Sequence, residues 1–211
     1  MYNYGYRDYV PQTARFTTID PIRDGNNWFA YCNNEPVNFQ DAWGLEKTDV
    51  SLYYVKNSTD TMYVTVITYN DDNEAVSMET TTYDATNNVR SPEQRGDPVE
   101  YNDYYYYPIQ HPDGTFELGK SMETREDQKK SMGEIKIPTN ATQPVMTTDI
   151  EGNPSGEIVT DDGYYIHSGT FNTTWGCIKM SDDDVEELAE IINSALDNGG
   201  SATLTVINGN N

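Results

Sequence analysis

One stretch near the C-terminus fixes the class of fold. Val185, Leu188, Ile191, Ile192, Ala195 and Leu196 recur at the spacing of a helix with a single apolar face. Ser181 stands at the N-cap, and Asp184 takes the third position of a capping box. Asp182, Asp183 and Asp184 together complement the positive helix end. Asn198-Gly199-Gly200 stops the helix, because these residues enter the left-handed region at low cost. The β-branched run from Ala202 to Ile207 then reads as a closing strand. An apolar helix face needs a sheet to lie on. Ser51 to Val55 and Met62 to Tyr69 alternate like half-buried strands, Asn70-Asp71-Asp72-Asn73 turns, and Tyr104 to Ile109 adds another strand. The predicted fold class is mainly β with one or two helices (α+β), a β-sandwich or mixed sheet.

The remaining segments read as connections. Val89 to Pro98 is a loop, His111-Pro112-Asp113-Gly114 a hairpin turn that leaves His111 at the surface, and Pro138 to Pro154 a Pro/Thr/Asn/Gly-rich link. Thr124 to Met132 reads as a short exposed helix or lid. Consecutive side chains at a helix start point in different directions, so Asp182-Asp183-Asp184 predicts caps and no metal site. No glycine-rich phosphate loop, zinc-ligand spacing or internal repeat is present, and no cofactor is expected.

Chemistry concentrates just ahead of that helix. Tyr164-Tyr165-Ile166-His167-Ser168-Gly169 is followed, after five residues, by Trp175-Gly176-Cys177-Ile178-Lys179-Met180. A thiol attacks as thiolate, and a nearby imidazole is the usual device for lowering its pKa and moving its proton. Tyr164 to Ile166 reads as a strand that delivers His167 to its end. Gly169 and Gly176 bracket a loop back to a second short apolar run, so that imidazole and sulfur meet across adjacent strand ends. Cys32 has no histidine near it in sequence and reads as structural; with the two cysteines in different segments, a disulfide framework is not expected.

The pattern Ile-His-Ser-Gly, then Thr-Trp-Gly-Cys-Ile-Lys-Met, then an acidic helix and a final strand resembles the catalytic end of L,D-transpeptidases, the YkuD-type peptidoglycan cysteine enzymes. Trp175 stands where that family usually has a second histidine, and the loop from His167 to Cys177 is shorter than in most housekeeping members. The resemblance implies an L,D-transpeptidase-like sheet with the catalytic pair at strand ends. It implies Cys177 as nucleophile, His167 as base, and Ser168 as the residue whose backbone carbonyl orients the imidazole. Backbone N–H groups of Gly176 and Cys177 would form the oxyanion hole, with Trp175 and Tyr165 contacting substrate. The substrate would be a peptidoglycan stem peptide.

The first 45 residues are a different object. Tyr2-Asn3-Tyr4-Gly5-Tyr6-Arg7-Asp8-Tyr9, Ala14-Arg15-Phe16, Thr18-Ile19-Asp20-Pro21-Ile22, Asn34-Glu35-Pro36 and Asp41-Ala42-Trp43-Gly44-Leu45 follow one another there. In that order they resemble the end of the Rhs repeat-associated core, the shell that encloses polymorphic toxins; Ala42 departs from the usual proline. The resemblance implies self-cleavage after Leu45, supported by Asp20 and Asp41, since paired carboxylates that share a proton can activate water. Read from the residues alone, both aspartates are turn formers. A segment this short cannot bury its own core. The chain therefore divides into 1–45, an Rhs-core tail, and 46–211, a toxin candidate, with an Rhs shell and a cognate immunity protein as implied partners.

Charge narrows the target. The first 45 residues hold 3 of the 13 basic and 5 of the 35 acidic side chains, leaving 10 against 30, or −20 of the net −22, to residues 46–211. So acidic a body repels nucleic-acid phosphates and anionic membrane surfaces. No run reaches the roughly 20 apolar residues of a membrane span, and the polar, tyrosine-rich N-terminus predicts no signal peptide. The expectation is an effector delivered by a carrier and acting in the periplasm of a target cell. Two alternatives stand beside it: a degenerate domain that binds peptidoglycan or a receptor, and a different Cys–His amidase or endopeptidase of the wall. The second is disfavoured because His167 precedes Cys177.

Overall fold

The computed structural model describes residues 2–3, 8–10, 15–17, 47–58, 60–70, 73–87, 98–101, 103–170 and 174–209. At the N-terminus β1 (Tyr2–Asn3), β2 (Asp8–Val10) and β3 (Arg15–Phe16) form a small antiparallel sheet. Asp20, Cys32, Asp41 and Leu45, and with them the expected cleavage site, lie outside the described residues.

The body is built on a five-stranded sheet. Strands β4 (Thr48–Lys56), β5 (Thr61–Tyr69) and β6 (Ala75–Asp84) are antiparallel neighbours. On the other side of β4 lies β16 (Ala202–Asn208), parallel to it and antiparallel to β9 (Gly114–Glu117). Alternation follows the sequence: Val50, Leu52 and Tyr54 of β4, Met62 and Val64 of β5, and Ala202, Leu204 and Val206 of β16 are all buried in one core. Helix α2 (Asp182–Asp197) lies on it, burying Val185, Leu188, Ala189, Ile192 and Ala195. The Ser181 hydroxyl accepts from Asp184 N as the N-cap, and Gly199 (φ +74°) closes the C-terminal end.

A second, four-stranded sheet packs against the same helix. Its order is β10 (Met122–Glu123), β11 (Ile135–Pro138), β14 (Tyr165–His167) and β15 (Ile178–Lys179). The first three strands are antiparallel and the last pair is parallel, with Ile166 opposite Ile178 and His167 opposite Lys179. Ile137, Ile166 and Ile178 are fully buried and join the core. The side chains that alternate with these isoleucines project from the opposite face of the sheet.

A third sheet, β7 (Val99–Tyr101), β8 (Tyr104–Tyr106), β12 (Gln143–Thr148) and β13 (Pro154–Asp161), flanks the second. It corrects the sequence reading of 138–154 as a plain connection. Gln143–Thr148 is a strand because Val145 and Thr147 alternate inward while Pro144 and Met146 face solvent. The tyrosine strand is shorter than expected, ending at Tyr106. In the charged stretch only α1 (Lys129–Met132) is helical. Among the described residues no helix is long and apolar enough to cross a membrane.

Candidate active site

Strand alternation decides which side chains meet. With Ile166 and Ile178 turned into the core, Tyr165, His167 and Lys179 project from the other face, joined by Cys177 immediately before β15. From β11, Lys136 lies opposite His167 and Pro138 opposite Tyr165, so Lys136 shares that face. Cys177 and His167 are thus offset diagonally by two positions on neighbouring parallel strands, about 8 Å between Cα atoms at ordinary strand spacing and rise.

The imidazole is held from behind. His167 Nδ1 lies 2.5 Å from Ser168 O. A carbonyl can only accept, so Nδ1 carries the proton and Nε2 presents its lone pair. Ser168 is held in turn: its Oγ donates to Asp182 Oδ1 in the first turn of α2. Two glycines make room for this corner. A Cβ at Gly133 would collide with Ser168 Oγ, and one at Gly169 (φ +110°) would collide with Ser131 O.

The thiol is held in a tight loop. Asn87 Nδ2 donates to both Gly176 O and Cys177 O, each at 2.7 Å, and Thr174 Oγ1 donates to Cys177 O at 2.9 Å. Thr86 and Lys179 exchange two backbone bonds of 2.8 Å, which tie the end of β6 to β15. Gly176 has φ +102°, and a Cβ there would run into Ile109 O and the Tyr164 ring. Below that ring lies His111, edge-on to Tyr164 at 5.2 Å and to Phe116 at 5.0 Å. Its exposure is 0%. This overturns the reading of His111 as a surface residue: Lys56 Nζ reaches His111 O at 2.6 Å and Asp113 at 3.0 Å, pulling the turn inward.

Burial sets the electrostatics. The Cys177 thiol is 4% exposed and its Sγ donates to Gly163 O at 3.5 Å, not to the imidazole. Burial pushes its pKa up to about 12, with Asp161 adding to the rise and Lys136 opposing it. Burial likewise takes His167 down to about 4, helped by the nearby Lys179 and Lys136 charges. Both shifts favour the neutral forms, a protonated thiol and an uncharged imidazole.

The other predicted site residues fall as follows. Gly176 directly precedes Cys177, Tyr165 is half-buried beneath Lys136, and Trp175 is 59% exposed. An open cleft of about 600 Å³, lined by Asp60, Asp84, Ala85, Thr86, Lys179, Met180 and Ser181, runs beside the site without reaching Cys177 or His167. Among the described residues no group of three His, Cys, Asp or Glu side chains is placed to hold a metal. Sequence reasoning missed Asn87, Lys136 and the Asp182–Ser168 contact. Only Lys136 carried a signal: in Ile135-Lys136-Ile137 a cation alternates with core residues, which puts it on the opposite strand face.

Residues 46–206 match the family pattern of the L,D-transpeptidase catalytic domain, YkuD. No curated protein matches the chain. Among solved structures, Bd1075 of Bdellovibrio bacteriovorus matches at a TM-score of 0.43 and 14% identity, over 77% of this chain and 48% of that one. The chain thus spans about half the length of that protein. With the family pattern covering well over half of the sequence, and both His167 and Cys177 inside it, this protein belongs to the L,D-transpeptidase catalytic-domain (YkuD) family.

Proposed function

We propose that residues 46–211 form a peptidoglycan-modifying cysteine enzyme carried as the C-terminal toxin of an Rhs protein. The observation that carries the catalytic part is the shared sheet face: His167 and Cys177 project from adjacent strands, with Nε2 of a neutral imidazole left to take a proton. Cys177 Sγ attacks the carbonyl between the third residue of the stem peptide and the following D-alanine, and its proton passes to His167 Nε2. The C–N bond breaks as the new S–C bond settles, and His167 returns the proton to the departing D-alanine amine. Backbone N–H groups of Gly176 and Cys177 receive the oxyanion, an interaction worth roughly 3–4 kcal/mol of barrier per donor. Trp175 and Tyr165 line the approach. An amine acceptor then gives cross-linking or D-amino-acid exchange, and water gives carboxypeptidase action.

The toxin part rests on the Rhs resemblance of residues 2–45, with cleavage after Leu45 supported by Asp20 and Asp41. The −20 charge of residues 46–211 favours a wall target over a nucleic-acid one. The site of action proposed is the target-cell periplasm, and the partners are the Rhs shell and an exported immunity protein. One observation favours the second reading, a binding domain without turnover: the thiol is covered and held protonated. Mass spectrometry of muropeptides after incubation with the protein separates the two. Loss or exchange of D-alanine, or a new cross-link, supports the enzyme and identifies its acceptor; unchanged tetrapeptides, with the protein retained on peptidoglycan, support binding alone.

A further inference from the structure

The face that carries Cys177 also carries a cation that the proposed steps do not use. Lys136 is 9% exposed, and its ammonium lies over the Tyr165 ring, 4.3 Å from the centroid. Tyr165 sits on β14 beside Cys177, and its backbone bonds the thiol. Among the described residues Lys136 pairs with no carboxylate. A buried ammonium without an anion is unfavourable, and an aromatic face compensates only in part.

The charges around it explain what is missing. Burial weakens the proton affinity of Lys136, and the positive charge of Arg125, beyond β10, weakens it further. Lys179 on β15 is a second cation, and its effect falls on His167. The neutral His167 faces Lys136 directly across β11 and β14. Asp161 is the anion near the thiol, but its carboxylate accepts from Gly163 N at 3.2 Å and opposes ionisation of Cys177. Asp162 bears on Tyr165 from the same turn. In this surround Lys136 is the group whose charge favours a thiolate at Cys177.

We propose that Lys136 is a positioning residue of the reaction: its ammonium, held over Tyr165 on the nucleophile's face, stabilises the Cys177 thiolate as His167 Nε2 takes the Sγ proton. This rests on the reading of Cys177 as nucleophile, but its test does not require turnover. The rate of Cys177 alkylation by iodoacetamide is followed against pH in the full chain, with peptide mapping to separate Cys177 from Cys32. Lys136→Met should displace the Cys177 profile to higher pH by roughly one unit, making it about tenfold slower at a given pH, while Cys32 is unmoved. Lys136→Arg, which keeps the charge, should restore the profile. Lys136→Gln is the second neutral variant, with the same expectation, should the Met variant fail to fold. A neutral variant that is folded and alkylates with the wild-type profile overturns the proposal, as does failure of Arg to restore it. A displaced profile in a protein that leaves muropeptides unchanged would sink the enzymatic reading and leave only the effect of Lys136 on the Cys177 thiolate; turnover with an undisplaced profile would overturn the proposal and keep the enzymatic reading.

Discussion

Acid should destabilise this protein through its buried histidines, and His111 gives the cleanest measure. Burial lowers its pKa from 6.5 to about 4. The folded-state pKa lies below the unfolded one, so as pH falls the unfolded chain binds the proton first. Stability is then lost progressively from about pH 6.5 down to about pH 4. At about pH 5 the solution lies roughly 1.5 units below the ordinary histidine value, which at about 1.4 kcal/mol per unit costs about 2 kcal/mol. His167, shifted equally far, adds a similar amount. Together they are a large share of a typical domain's stability of roughly 5–15 kcal/mol. The 35 acidic side chains also titrate, so the informative quantity is a difference between two proteins. His111→Phe keeps the edge-on contacts with Phe116 and Tyr164 but cannot be protonated. Urea unfolding at about pH 7 and about pH 5 should show a pH-dependent loss about 2 kcal/mol smaller in the variant than in the wild type. Equal losses would mean that His111 is not held neutral by burial, and the reasoning would fail.

Three further outcomes are expected. Asn87→Ala leaves the Gly176 and Cys177 carbonyls without their shared donor, so thermal unfolding should show a loss of about 1–3 kcal/mol, with slower Cys177 chemistry. Gly176→Ala must hold φ near +102° against Ile109 O, and it should lower both the melting temperature and turnover, whereas Gly156→Ala, where nothing lies within 4 Å of the added Cβ, should cost only backbone strain and leave turnover intact. In a complete Rhs shell, cleavage between Leu45 and Glu46 should appear as a separate band of residues 46–211, lost in Asp20→Asn or Asp41→Asn; an uncut band in the parent protein would refute it.

What could be read from the sequence was local. The face of α2 follows from the spacing of Val185, Leu188 and Ile192, and its cap from Ser181, because both depend on residues within a few positions. The His167 and Cys177 strand ends were legible for the same reason, since two glycines and two apolar runs lie close together between Tyr164 and Met180. The supports of the site were not. Asn87 reaches Cys177 across 90 residues and the turn holding His111 is anchored by Lys56 across 55, and no short pattern encodes such contacts. His111 was misread because His-Pro-Asp-Gly is turn chemistry and turns usually face water. Here the turn is drawn under the Tyr164 ring. The thiol's charge state was misjudged for a related reason: adjacency to a histidine suggests a depressed pKa, but burial, invisible in the sequence, dominates at Cys177. The strand at Gln143–Thr148 was obscured by Pro144, whose ring faces solvent.

The central claim is that Cys177 becomes acylated by a stem peptide. Intact-protein mass spectrometry of the full chain, quenched in acid after mixing with tetrapeptide muropeptides, tests it directly. The account predicts an adduct of the tetrapeptide less its D-alanine, mapped to Cys177, absent in Cys177→Ala and strongly reduced in His167→Ala. Conversion of the muropeptides by a folded Cys177→Ala protein, or an adduct carried by Cys32 instead, would contradict it.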